Sequence, residues 1–462
     1  MLKNPHYERW RWQIFAITWL AYAGFYFTRL PFSVAKIEMG KEPLPVCYAS
    51  TIGALGSGFG QGPLLAASAL VPGRTGAGSG IGLSREWMGW IDGAYLTTYA
   101  VGMFFWGLCG DRYGARKVIL ICMLGSIVTA AATGAASVPW TLMLLLGIQG
   151  LCQAGGWPPL TKNMSYFYSL RERGTVIGLW STNYALGGFL AALFAGYIGD
   201  WWGWRYAFYA SAGTLAVIWL LFLLLQRNRP EDVGLPPIEI YHGEKETVLA
   251  EDETHAEEPE GSWKVIIEVC RNPMVLLLSL VYFFMKPARY AILFWAPKYL
   301  SEKLGTNMLD SGALSGLFQL AGPVSVFVGG LLSDKLFDNR RNPVSVICLV
   351  LLAAVLFVFD KLPATGLMLG GGFFLIGMLI YAPDSLVSGT AAIDFGSKKG
   401  ASTASGVITG VGSVGAIAGG TLPGVLHHQL GWNGLFQVLS VCVLIAGLLL
   451  LPKWNAKPVV AK

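Results

Sequence analysis

The chain has 462 residues, of which 54% are hydrophobic and 13% are charged, and its formal net charge is +6. Soluble domains carry roughly 25% charged residues, so this composition excludes a chain of ordinary soluble domains and indicates a membrane protein. The seven cysteines and five histidines are scattered along the sequence. That distribution excludes a disulfide framework or a metal cluster, and we expect neither a metal nor another cofactor.

Long apolar stretches follow one another along the chain. Lipid offers the backbone no hydrogen-bonding partner, so a stretch of about 20 apolar residues is expected to cross a membrane as a helix. We predict twelve such helices, at 13–38, 87–109, 117–136, 140–167, 174–199, 205–225, 274–300, 310–333, 344–360, 365–391, 400–424 and 433–451. The first stretch is too long for a signal peptide and lacks a small-residue cleavage site, so we expect it to be retained.

Basic residues are concentrated in alternate loops between these stretches. Short loops rich in Lys and Arg stay on the cytoplasmic side, so both termini are predicted to be cytoplasmic. The main members of this set are Arg9, Arg11, Arg112, Arg116, Lys117, Arg171, Arg173, Arg227, Arg229, Lys335, Arg340, Arg341, Lys398, Lys399 and Lys453.

Two of the connecting segments are long. The acidic, proline-containing segment 226–263 is predicted to be a flexible cytoplasmic linker. The segment 41–86 is a glycine-rich outer loop, and its role as a lid or as a disordered segment stays open.

Three short motifs occur twice, once in each half of the chain. Residues 107–112 (GLCGDR) match 330–335 (GLLSDK), 173–174 (RG) match 399–400 (KG), and 203–208 (GWRYAF) match 431–436 (GWNGLF). The partners are separated by 223, 226 and 228 residues, in the same order. Duplication of this kind predicts two six-helix bundles, 1–225 and 264–462, joined by the linker 226–263.

The segment 107–117, GLCGDRYGARK, resembles the signature loop between the second and third helices of the major facilitator superfamily. The resemblance implies an all-α membrane protein with twelve transmembrane helices in two pseudo-symmetric bundles. A charge network at such a turn can hold the bundles in one state and break in the other. We therefore expect Asp111, Arg112 and the repeat partner Asp334 to act in gating.

Three cations lie deep inside predicted spans: Arg29 in the first, and Lys286 and Arg289 in the seventh. A charge at the bilayer centre costs about 2.5–3.5 kcal/mol, so such residues are functional candidates. Arg29 and Arg289 lie at similar depths in equivalent helices, which predicts that they face each other. Guanidinium groups bind phosphate bidentately, so the pattern predicts an anion site for a phosphoryl group.

Helical spacing places Tyr22 and Tyr26 on the same stripe as Arg29. Other polar residues within spans are either cavity-lining or contacts between helices: Tyr99, Gln149, Gln153, Asn183 and Tyr381. The alternative for the three cations is pairing with membrane carboxylates, chiefly Asp384 and then Asp92. One carboxylate cannot neutralise three cations, which favours the anion site, and Asp384 is a candidate counter-ion or proton carrier.

Five strings, in order, resemble the organophosphate:phosphate antiporters over nearly the whole chain. They are FYFTR at 25–29, QAGGWPP at 153–159, RERG at 171–174, GLPPIE at 234–239 and RYAILFWAP at 289–297. The resemblance implies exchange of inorganic phosphate for a phosphorylated sugar or glycerol, with Arg29 and Arg289 gripping the phosphate.

The chain departs from that family's bacterial pattern at several positions. Leu30 and Phe294 replace a lysine and an aspartate usual in bacterial members, so an outer gate closed by apolar packing is expected. Met103 and Tyr166 align with a lysine and a histidine of the glycerol-3-phosphate exchanger, which disfavours that substrate. Lys286 and the string GWIDGA at 89–94 look more like the eukaryotic sugar-phosphate exchangers.

Together these patterns predict a phosphate exchanger that works by alternating access. A sugar-phosphate sensor without net transport and a proton-coupled organic-anion transporter, using Asp384 or Asp92, stay open as alternatives. An enzyme is disfavoured because no nucleophile–base pairing is visible. The expected partners are inorganic phosphate, an organic phosphate ester and the lipid bilayer, without nucleic acid. We expect a monomer in a bacterial cytoplasmic membrane, since no plausible outer-loop glycosylation acceptor is present.

Overall fold

The structure, a computed structural model, describes residues 4–42, 80–242, 271–337, 340–387 and 401–455. Within these ranges the chain forms helices and no β-strand. The helices are α1 Pro5–Arg29, α2 Pro31–Met39, α3 Arg85–Tyr113, α4 Ala115–Ala135, α5 Pro139–Ala154, α6 Trp157–Phe167, α7 Leu170–Trp180, α8 Thr182–Trp202, α9 Trp204–Leu225, α10 Ile238–Tyr241, α11 Pro273–Leu304, α12 Met308–Leu336, α13 Arg341–Phe359, α14 Gly366–Ser385 and α15 Ala401–Leu450. Short 3-10 turns cover Pro230–Val233 and Leu451–Lys453.

The described helices account for twelve membrane crossings, as predicted. Eight segments are long and apolar enough to span a membrane by composition alone. Three more crossings are α3 and the interrupted pairs α1–α2 and α5–α6. The last comes from α15, which Gly431 divides into two arms because its backbone is not helical there.

Two of the crossings named above are interrupted inside the bundle. Leu30 separates α1 from α2, because Pro31 has no amide hydrogen to continue the helical ladder. Gly155 and Gly156 separate α5 from α6 in the same manner, just before Trp157-Pro158. The first interruption leaves Arg29 as the last residue of α1, inside the bundle.

Two glycines with positive φ reverse the chain between neighbouring helices. Gly203 has φ of 95° and Gly431 has φ of 60°, a region that glycine adopts without steric cost. Each directly precedes a tryptophan, Trp204 or Trp432. These glycines are repeat partners in the sequence, so the repeated motif has a positive-φ backbone in both places. The bundle boundaries 1–225, 226–263 and 264–462 stay a prediction.

The helices before the linker, α1–α9, meet those after it, α11–α15, along glycine-lined seams. Gly89 of α3 lies so close to Gly424 of α15 that a Cβ at Gly424 would be 2.6 Å from the Cα of Gly89. A Cβ at Gly196 of α8 would be 2.6 Å from the carbonyl oxygen of Met308. Small residues allow helices in a membrane to approach this closely. We call the end of the bundle where these seams lie the sealed end.

The outer gate is expected to close by apolar packing, and the sealed end contains such packing together with buried charges. An apolar cluster that includes Phe294 joins both groups of helices there. Two ion pairs accompany it, however: Lys36 with Asp92, and Arg85 with Glu302 at 2.8 Å. Positions 30 and 294 carry no charge, but Lys36 and Glu302 supply charges within about two helical turns of them.

Some predictions fall outside the described residues. Residues 43–79 of the loop 41–86 and residues 243–263 of the linker are among them. The backbones of Asp111 and Asp334 lie in α3 and α12, but their side chains are outside the described part. Arg112 is exposed, with its guanidinium over the Tyr113 ring at 5.5 Å. The gating role of these three residues stays a prediction.

Candidate substrate-binding site

Arg29 is buried at the end of α1 and is only 7% exposed. Its guanidinium faces the rings of Tyr26 and Tyr99, with the Cζ atom 4.5 and 5.0 Å from their centroids. Among the described residues it forms no ion pair, and its Nη2 atom has no hydrogen-bond partner. A buried cation in this condition can accept an anionic ligand without first losing a carboxylate.

Gln153 holds the other edge of the Arg29 guanidinium. Its Oε1 atom accepts hydrogen bonds from Arg29 Nε and from the Tyr95 hydroxyl, both at 2.8 Å. Its Nε2 atom donates to Thr28 Oγ1 at 3.0 Å. The amide is therefore fully oriented within the protein, so Gln153, predicted to bind substrate, positions Arg29 in this arrangement. Gln149 also bonds α1, donating to the carbonyl of Thr28 at 2.5 Å.

Arg289 is placed differently, because α11 also presents Lys286 and α14 presents Asp384. The carboxylate of Asp384 pairs with Arg289 Nη1 through Oδ2 and with Lys286 Nζ through Oδ1 at 3.3 Å. The cations also face rings: Arg289 lies over Tyr381 at 4.7 Å, and Lys286 lies over Tyr282 at 4.4 Å. The counter-ion interpretation of Asp384 thus agrees with its contacts.

Two arcs of aromatic rings connect Arg29 to the Arg289 cluster. Successive members of each arc are between 4.5 and 6.4 Å apart. The first arc runs from Arg29 through Tyr26, Tyr22, Trp157 and Tyr184 to Arg289. The second runs from Arg29 through Tyr99, Tyr95, Phe294 and Tyr290 to Lys286. The predicted residues Tyr22 and Tyr26 therefore belong to the first arc, and Tyr99 belongs to the second.

Tyr381 and Asn183, also predicted to line the site, differ in their surroundings. Tyr381 stacks on Tyr184 with centroids 6.1 Å apart and donates its hydroxyl to Gln319. Asn183 is fully buried, and within the described chain its amide nitrogen and oxygen have no hydrogen-bond partner. No described contact joins Asn183 to either arginine, so its place in the site stays a prediction.

Asp92 does not pair with the site cations. It pairs with Lys36 of α2, which is wholly buried, and the sequence interpretation missed this lysine. Lys36 lies seven residues after Arg29, near the end of the predicted span 13–38, where a lysine is easily taken for a residue reaching toward the interface. Its i, i+7 spacing from Arg29 was the available signal.

The arrangement combines three cations, one carboxylate and several tyrosine hydroxyls. Taken alone, these four ionisable groups carry two net positive charges. A phosphate monoester carries about −1.5 to −2 at pH 7, so one phosphoryl group would nearly neutralise the cluster. Tyrosine hydroxyls on the connecting arcs could bond the hydroxyl groups of an attached organic moiety.

Comparison with known proteins identifies a family and structural neighbours for this chain. The profile of the Major Facilitator Superfamily matches residues 78–409. The chain is 30% identical to a "Probable hexose phosphate transport protein" of Chlamydia trachomatis, covering 98% of this chain and 93% of that protein. It is also 30% identical to the "Membrane sensor protein UhpC" of Salmonella typhimurium, with 98% and 94% coverage.

Among solved structures, the chain is similar to a bacterial homologue of the human lysosomal transporter Spinster. The TM-score is 0.68 at 15% identity, with 98% of this chain and 96% of the other covered. At this identity the likeness concerns the fold alone.

Proposed function

Since the chain belongs to the organophosphate:phosphate antiporter family of the major facilitator superfamily, we propose that it exchanges inorganic phosphate for an organic phosphate ester. The exchange proceeds by alternating access, with the phosphoryl group held between Arg29 and Arg289. A phosphorylated sugar is the favoured class, because Met103 and Tyr166 lack the charges found in the glycerol-3-phosphate exchanger. Tyr166 is moreover engaged outside the arcs, with its ring 4.7 Å from Arg229.

The observation that carries this proposal is the buried Nη2 atom of Arg29, which has no partner among the described residues. Leaving a charged donor unsatisfied costs more than 1–3 kcal/mol. A carboxylate beside Arg29 would remove that cost. Its absence among the described residues is explained if the donor binds a ligand. A phosphate oxygen supplies the missing acceptor, and the charge keeps it bound within an apolar surrounding.

Charge balance then explains why exchange would be coupled. Without phosphate, Arg29 and the Arg289 cluster repel each other across the arcs, which disfavours their approach. A bound phosphoryl group replaces this repulsion with attraction to both sides. The loaded protein therefore changes state more readily than the empty one, and each outward passage of one phosphate compound requires an inward passage of another.

Asp384 bears on the proton-coupled alternative. A proton carrier must lose and regain its proton during the cycle, whereas this carboxylate lies between Lys286 and Arg289. Two adjacent cations favour its ionised form. We therefore assign Asp384 the role of counter-ion in the proposed mechanism.

Uptake of radiolabelled phosphate into proteoliposomes tests the proposal. We expect uptake only into vesicles preloaded with phosphate or with an organic phosphate, and the best competitor in a sugar-phosphate panel identifies the substrate class. Uptake that depends on a pH gradient and not on internal phosphate would support the proton-coupled transporter. Folded protein that binds a sugar phosphate without exchange would support the sensor.

The cellular setting is part of the same proposal. We place the protein in a bacterial cytoplasmic membrane as a monomer, with both termini in the cytoplasm and the sealed end facing outward. Protease or cysteine-label access to the chain termini from either side of sealed vesicles measures this orientation.

A further inference from the structure

The most completely buried charges among the described residues lie outside the substrate-binding site, at the sealed end. Lys36 of α2 is 0% exposed and Asp92 of α3 is 3% exposed. Taking an ion pair out of water costs several kcal/mol per ion, and hydrophobic replacements are often as stable. Stability alone therefore does not explain why this ion pair is buried.

The ammonium group of Lys36 has three N–H donors, and both polar and aromatic groups surround it. It pairs with the carboxylate of Asp92 and donates to the carbonyl oxygen of Phe294 at 3.1 Å. It also lies over the ring of Trp295, 4.1 Å from the centroid. Desolvated cation–π contacts of this kind are worth about 2 kcal/mol, so the ring completes the coordination of the cation.

These contacts divide between the two groups of helices. Asp92 belongs to α3, in the same group as Lys36, whereas Phe294 and Trp295 belong to α11 in the other group. Rocking of the groups as rigid bodies would leave the Lys36–Asp92 pair intact. It would remove the carbonyl and the indole face from the ammonium and expose the pair to water.

We propose that Lys36 is the gate charge of the sealed end: Asp92 holds its ammonium ready, and docking onto the Phe294 carbonyl and the Trp295 face closes the passage. This role of Lys36 concerns the equilibrium between the sealed and open states, and it does not depend on which solute is transported. Phe294 also belongs to the second aromatic arc. The same residue therefore contacts Lys36 at the sealed end and contributes to the substrate-binding site.

A second charged layer lies nearer the rim and supplies a control. Arg85 of α3 pairs with Glu302 of α11 at 2.8 Å, and both side chains are about one-quarter exposed, at 26% and 25%. Partly exposed pairs contribute little, typically below about 1 kcal/mol. Lys36 crosses the seam through the Phe294 carbonyl and the Trp295 ring, whereas Arg85 crosses it through an ion pair that is more exposed.

The test measures the distance between spin labels at the sealed end. Cysteines replace Val138, before α5, and Ala364, between α13 and α14, in a variant whose seven native cysteines are removed. Double electron–electron resonance in lipid nanodiscs, without and with phosphate, gives the sealed and open populations. This readout does not depend on transport, so a failure of the exchange assay would not affect it.

The decisive variant swaps the charges, Lys36→Asp with Asp92→Lys. The swap keeps opposite charges on α2 and α3 but removes from position 36 the ammonium that donates to the Phe294 carbonyl. We expect the ratio of sealed to open protein to fall about tenfold, the loss of one charged hydrogen bond, while Arg85→Gln lowers it less than about threefold.

If the swap does not give monodisperse protein, Lys36→Met with Asp92→Asn carries the same expectation. A sealed population equal to that of the parent in the first folded variant overturns the proposal, because the pair would then act only within its own group. An equally large shift from Arg85→Gln also overturns it, since any charge at the seam would suffice.

Discussion

Arg29 and Arg289 occupy equivalent helices, yet their surroundings differ. Arg289 shares the carboxylate of Asp384 with Lys286. Arg29 has aromatic rings and one amide oxygen, without a carboxylate among the described residues. Arg289 is therefore stabilised by the protein itself, while Arg29 remains available for a ligand. We therefore expect a phosphoryl group to bind Arg29 directly and to compete with Asp384 for Arg289.

The largest effect is expected from neutralising each arginine. Arg29→Gln and Arg289→Gln should each lower phosphate exchange at least about 100-fold, because charged hydrogen bonds to phosphate are lost. Their thermal stabilities should differ. Arg29→Gln removes an unpaired buried cation and should be as stable as the parent, whereas Arg289→Gln breaks a buried pair and should lose about 2–4 kcal/mol. Equal destabilisation in detergent unfolding assays would contradict the comparison.

Asp384→Asn should make the two arginine sites more alike. Without its carboxylate, the cluster of Lys286 and Arg289 is left with uncompensated charge, so we expect a loss of about 3 kcal/mol in phosphate-free buffer. Added phosphate should restore more stability to this variant than to the parent, because the anion replaces the missing carboxylate. Thermal unfolding across a phosphate titration measures both changes, and a smaller phosphate shift in the variant would refute the counter-ion role.

Gln153→Leu should weaken phosphate binding at Arg29. The substitution removes the acceptor of Arg29 Nε, so the guanidinium loses its fixed orientation, and we expect the KM for phosphate to rise about tenfold. Gln149→Leu is the matched control, because Gln149 bonds the Thr28 carbonyl and not Arg29. Initial exchange rates over a range of phosphate concentrations separate KM from kcat. Similar KM changes in both variants would point to a disturbed α1 instead.

The smallest effect is expected from Tyr99, the more distant of the two rings over Arg29. Tyr99→Leu removes a ring whose centroid is 5.0 Å from the guanidinium. A cation–π contact of about 0.5–1 kcal/mol predicts a weakening of phosphate binding by about threefold. Tyr99→Phe keeps the ring and should bind as the parent does, as measured by equilibrium binding of labelled phosphate. A loss in Tyr99→Phe as large as in Tyr99→Leu would assign the effect to the hydroxyl.

The crossings and the three site cations were predictable from the sequence because they depend on local signals. Twenty apolar residues must form a helix in lipid, and an arginine within such a stretch is conspicuous. The interruption after Arg29 also has a local cause in Pro31. Partner choice has no local signal: the sequence left open which cations Asp384 and Asp92 would neutralise.

Lys36 shows why the rest could not be read from the chain. Its partners are 56 and 258 residues away in sequence, and one of them is a backbone carbonyl that any residue type could supply. The ion pairs that accompany the apolar packing around Phe294 could not be predicted for the same reason. Loss of charge at two positions says nothing about charge supplied from a neighbouring turn of another helix.

The glycine seam between α3 and α15 has a practical consequence. Helix backbones meet there so closely that a Cβ at Gly89 would be 2.7 Å from the carbonyl oxygen of Thr421. A single added methyl group would therefore act as a wedge, tolerated when the helices are apart and excluded when they close. Valine or leucine at Gly89 offers a conformational trap, a means to arrest the transport cycle in one state for structural work while leaving every charged residue in place.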